Sequence, residues 1–142
     1  MKKIILILIS LIAVLGCSSN DESSKIVETP ENLIGSWKFV GYYTLYDIDQ
    51  EPGANYNPVE NGGITTYYAN NSFNYTEESI NYTGNYSVTA DSILTLNYNQ
   101  STSNDPVGGG SSKITLLTNT VLEKTCLSGG DCETYRFEKI NQ

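Results

Sequence analysis

The side chains of this chain that could do chemistry are mainly carboxylates. Asp47 and Asp49 stand two apart, Glu77 and Glu78 are adjacent, and the 142 residues include no histidine. Without an imidazole there is no His general base, no Ser-His-Asp or Cys-His arrangement and no His-ligated metal. A carboxylate pair can hydrolyse glycosides when rigid walls hold the two groups at a defined separation. Here both pairs fall in or beside expected loops, and adjacent glutamates on a strand point to opposite faces. The stretch "DIDQEPG" at 47–53 has the first, third and fifth oxygen positions of a calcium loop. Pro52, however, stands where that loop needs Gly, and Pro58 where it needs a bidentate Glu. "GGGSSK" at 108–113 lacks phosphate-loop spacing and precedes a strand, so it is a flexible connector. No nucleophile-elbow or S-x-x-K motif occurs. The expectation is a non-enzymatic protein with no catalytic residue, metal or cofactor.

The elements that would position these groups are strands. Tyrosine is abundant at 11 residues, and helical spacing is nowhere sustained. Short β runs separated by turn signals are expected at 36–46, 64–69, 72–76, 82–88, 92–98, 113–117, 121–126 and 132–140. Connections at 70–71, 89–91 and 118–120 are tight. Those at 47–63, 77–81, 99–112 and the loop before Cys132 are longer. In an up-and-down meander alternate turns lie at opposite ends, so one end is closed by tight turns and the other is open. Eight such strands can close into an antiparallel barrel without exposed edges. A β-sandwich is the rival architecture, but it needs crossovers that sequential hairpins do not supply.

The amino terminus carries an address. Lys2 and Lys3 precede an uncharged run over 4–16, shorter than the roughly 20 apolar residues of a spanning helix. It is therefore expected to be a secretory leader, 1–16. The segment Val14-Leu15-Gly16-Cys17 resembles the bacterial lipobox. That resemblance implies cleavage before Cys17, lipidation of its thiol and acylation of the new amino terminus. Two or more acyl chains anchor a protein stably to a membrane. An ordinary leader with an unmodified cysteine, or an uncleaved anchor, is the alternative. Residues 17–31 then form the lipidated end and a polar tether, whose Asp21-Glu22 resembles the export signals of surface lipoproteins from Bacteroidetes. The implied location is the outer membrane or cell surface, with the membrane as a partner through the lipid.

The formal charge is −8, and losing Lys2 and Lys3 with the leader lowers it by two more. A chain this acidic repels phosphate backbones, so nucleic acid is excluded as a partner. Three cysteines leave one over for pairing. Lipid on Cys17 resolves this and leaves Cys126 and Cys132, which flank a short loop and are expected to form a disulfide.

Residues 32–142 resemble the lipocalin-like domains of Bacteroidetes lipoproteins. The likeness rests on "LIGSWKFV", "SFNYTE", "GNYSVTADSILTL" and "TYRFEKI", with Gly35-Ser36-Trp37 in the place of the G-x-W signature. It implies that Trp37 closes the barrel floor and that a basic residue of the last strand packs over it. Arg136 and Lys139 compete; alternation with Tyr135 and Phe137 inward favours Lys139. The same alternation turns Phe39, Phe73, Tyr75, Tyr86, Val88, Leu94, Leu96, Ile114 and Leu122 inward. The resemblance implies a binding module for a small apolar or amphipathic ligand held among them. Alternatively the interior is filled and the loops act as an interaction surface. Asp47, Asp49, Glu51, Glu60, Glu77, Glu78, Asp105 and Asp131 crowd the open end. Against Lys113, Lys38 and Lys139 they favour a neutral or cationic ligand.

Overall fold

The structure is a computed structural model and describes residues 28–44, 55–99, 110–127 and 132–140. The leader, Cys17, the tether, and Asp47, Asp49, Glu51, Asp105 and Asp131 lie outside the described residues. Nine strands form one antiparallel sheet: β1 (Gly35–Tyr43), β2 (Tyr56–Pro58), β3 (Ile64–Tyr67), β4 (Ser72–Glu77), β5 (Ile80–Val88), β6 (Ile93–Tyr98), β7 (Ser111–Leu117), β8 (Val121–Cys126) and β9 (Thr134–Ile140). From β3 to β9 each strand pairs with the next in sequence, and β9 returns to pair with β1. The sheet therefore closes on itself as an up-and-down barrel.

The ninth strand is the departure from the expected eight. β2 and β3 lie on the same edge of β1, β2 opposite Gly41–Tyr43 and β3 opposite Gly35–Lys38. They are two halves of one barrel strand, broken at Val59–Gly63. Val59 N–H still reaches the Val40 carbonyl at 2.8 Å, and Phe39 N–H the Gly63 carbonyl at 2.9 Å. Pro58 and the Gly62-Gly63 pair end and restart the ladder, because proline lacks a donor and glycine frees the backbone. The expected long connection at 77–81 is also shorter in the structure. β4 and β5 form one long hairpin around Glu78-Ser79, with Glu77 opposite Ile80 and Glu78 at φ 48°.

The closed end is built from side chains that satisfy turn backbones. Thr118 Oγ1 accepts from Thr120 N–H at 3.2 Å and Val121 N–H at 2.9 Å. Asn70 Oδ1 accepts from Ser72 N–H at 3.1 Å, and Asn71 takes φ 62°, a left-handed conformation that asparagine tolerates. A 3₁₀ turn at Glu31–Leu33 caps this end and buries Leu33 completely. Inward residues recur every second position along β4, β5, β6 and β8, as a half-buried pleated sheet requires.

Candidate functional site

The floor starts from a backbone that only glycine suits. Gly35 sits at φ 127°, and a Cβ there would come 2.7 Å from Lys139 Cε. That space lets Lys139, opposite Trp37 in the β1–β9 register, cross the barrel end. Its ammonium lies 5.1 Å from the Trp37 ring centroid and donates to the Asn32 carbonyl at 3.1 Å. The indole N–H donates to the Leu33 carbonyl at 2.7 Å, so the fully buried Trp37 keeps no unmet donor. Arg136 faces the other way, bound to Glu123 at 2.7 Å and near Glu138 at 4.0 Å. Of the two basic residues, then, Lys139 covers the floor.

Above the floor the wall is aromatic. Phe39, Phe73, Tyr75, Tyr86, Val88, Leu94, Leu96, Leu122 and Phe137 are all buried, and Ile114 and Tyr135 pack against them half-buried. Phe39 meets Phe137 at 5.4 Å between centroids and Tyr135 at 5.9 Å; Tyr67 meets Tyr86 edge-on at 5.1 Å. Towards the open end Tyr82 stacks on Tyr75 at 6.2 Å and meets Tyr98 at 5.9 Å. Tyr75 donates to Glu77 Oε2 at 2.7 Å. Burial and that carboxylate push the Tyr75 phenol above its usual range. Burial does the same to Tyr67, Tyr86 and Tyr135.

Within this apolar wall lies a charge that the sequence reading passed over. Lys124 on β8 is 1% exposed, and its ammonium stands 4.8 Å from the Phe137 ring centroid. Burial lowers its pKa to about 8. The signal was present in the alternation: with Leu122 inward, Lys124 two residues on must be inward too. It was missed because lysines usually belong to the solvated face. Two buried hydroxyls were missed with it. Ser112 Oγ on β7 and Tyr67 Oη on β3 have no hydrogen-bond partner among the described residues.

The candidate carboxylates do not converge. Glu77 is engaged by Tyr75, Glu78 is exposed on the turn, and Glu60 is exposed on the broken strand. Among the described residues no group of three or more His, Cys, Asp or Glu could hold a metal ion. Cys126 and Cys132 are joined across the ends of β8 and β9, with Cα atoms 5.7 Å apart. A depression of about 500 Å³ lined by Ala90, Asp91, Ser92, Ile93, Lys113 and Leu127 opens on the outer face of the wall, away from this interior.

No family model matches the chain, and no curated protein matches it. Two solved structures share its shape. One is a lipocalin-like protein from Bacteroides uniformis ATCC 8492: TM-score 0.54, 18% identity, covering 77% of this chain and 99% of that one. The other is a DUF4847 family protein from Bacteroides vulgatus ATCC 8482: TM-score 0.57, 13% identity, covering 79% of this chain and 96% of that one. At such identities the likeness speaks for the fold, and the fold is lipocalin-like.

Proposed function

We propose that this protein is a lipid-anchored, non-enzymatic binding module that holds a small amphipathic ligand inside its barrel. The observation that carries the reading is the interior itself. An aromatic wall surrounds the hydroxyls of Tyr67 and Ser112, which have no hydrogen-bond partner among the described residues. A wall serving only to fill space would be expected to be apolar throughout, because each buried polar group costs free energy. The carboxylates expected from the sequence at the open end argue for a neutral or cationic ligand, and Lys124 argues against a cation reaching the interior. A neutral amphiphile satisfies both. Cys17 would carry the anchor at the outer membrane or cell surface, with residues 18–31 as the tether.

A second reading has its own support. Ring contacts such as Phe39–Phe137 and Phe73–Tyr98 fill part of the interior with the barrel's own side chains. A filled barrel acting through its loops as an interaction protein would look the same there. Native mass spectrometry of the full-length protein purified from its own host separates the two. A co-purifying neutral small molecule supports the binding module. Repeated recovery of the unliganded mass supports the filled barrel.

A further inference from the structure

The depression of about 500 Å³ on the outer wall is framed by β6, β7 and the end of β8. Ile93 and Lys113 face each other in register and alternate with the buried Leu94 and Ser112, so they point outward. The turn before β6 supplies Asp91 and Ser92, and Leu127 follows Cys126 at the end of β8. Both sides are held in place. The Thr89 carbonyl accepts from Ser92 N–H at 3.0 Å, and Thr89 N–H donates to the Ile93 carbonyl at 3.0 Å. Ile114 N–H donates to the Ser92 carbonyl at 2.8 Å, which ties the turn to β7. On the other side Cys126, next to Leu127, is bridged to Cys132.

Two features of the lining point to a ligand. Asp91 and Lys113 carry opposite charges, yet neither side chain makes an ion pair or hydrogen bond among the described residues. They lie too far apart to neutralise one another. The half-buried Ile93 and the 45% exposed Leu127 give the same depression apolar surface. Its volume falls within the roughly 300–1,000 Å³ of small-molecule sites. We infer that this cleft binds a small zwitterion with an apolar side chain, a free apolar amino acid or dipeptide, its ammonium at Asp91 and its carboxylate at Lys113. A ligand of single charge would pair with one wall and meet the other as a like charge. An uncharged apolar ligand would strip water from both charges and replace none of their hydrogen bonds. A zwitterion pairs with both and covers Ile93 and Leu127 with its side chain. Both pairs are exposed, so each strengthens binding only about threefold, and selectivity comes from requiring the two together. The site lies outside the barrel and stands whether the interior holds a ligand or is filled.

The test titrates the full-length protein with leucine and leucyl-leucine, each free, N-acetylated and C-amidated, and reads amide chemical shifts. The free forms should give saturable shifts at Asp91, Ser92, Ile93, Lys113 and Leu127. Either cap should weaken binding about threefold. Asp91→Asn should remove the penalty of N-acetylation, and Lys113→Met that of amidation, because cap and substitution delete the same pair. Both side chains are exposed, so neither substitution touches the core. Tighter binding of leucine would support the site as one for free amino acids, and tighter binding of leucyl-leucine as one for peptides with free ends. Equal affinity for free and capped forms would overturn the inference. So would a cap penalty that persists in the variants, shifts centred elsewhere, or no saturable shifts.

Discussion

Lys124 is costly to the fold, and that cost is measurable. Burial holds its pKa at about 8, against 10.5 for the free side chain, so the folded state disfavours its charged form. For a base lowered in this way the cost is full below pH 8 and disappears as pH rises towards 10.5. Urea unfolding should therefore show roughly 1 kcal/mol more stability at about pH 9 than at about pH 7. Lys124→Met should flatten that rise, and an identical rise in the variant would assign it elsewhere. Above about pH 10 the sign reverses, because Tyr67, Tyr75, Tyr86 and Tyr135 have raised folded pKa values and begin to ionise in the unfolded chain. At the floor, Gly35→Ala should destabilise by about 1–3 kcal/mol, since alanine at this φ is strained and its methyl would displace Lys139. Thermal unfolding checks this. An unchanged midpoint would mean the end of β1 adjusts freely.

Strands were legible in the sequence because the interior demands a period of two, and the turns were legible because Asn70-Asn71 and Thr118–Thr120 carry their own hydrogen-bonding groups. The extra strand β2 was not. Its three residues, Tyr56-Asn57-Pro58, include a proline and follow a polar segment, so no alternation marks it. What fixes it is tertiary: Tyr56 packs on Tyr43 at 5.1 Å, and its hydroxyl donates to the Val40 carbonyl at 2.8 Å. Lys124 was legible in principle, from Leu122 and the strand period, but the expected inward set was drawn from apolar residues alone. The β8–β9 corner carries a prediction of its own. Cys126 and Cys132 should resist alkylation until reduced, and reduction should cost about 2–2.5 kcal/mol for so short a loop. Full thiol reactivity in the native protein would contradict the pairing.

As a whole molecule the protein has a closed barrel, and its amino-terminal sequence resembles a bacterial lipobox at Cys17. Cys17→Ser should move it from the membrane to the soluble fraction, and a fatty-acid analogue should label the wild type alone. A soluble, unlabelled wild type would remove the anchor from the account. The central claim is that the interior, not the loops, meets the ligand. Amide chemical-shift mapping of the full-length protein titrated with methyl decanoate tests it most directly. The account predicts saturable shifts centred on Ser112, Lys124, Tyr135 and Phe137, with the Trp37 floor little changed. Shifts confined to the rim around Glu77 and Glu78, or no saturable shifts, would contradict it.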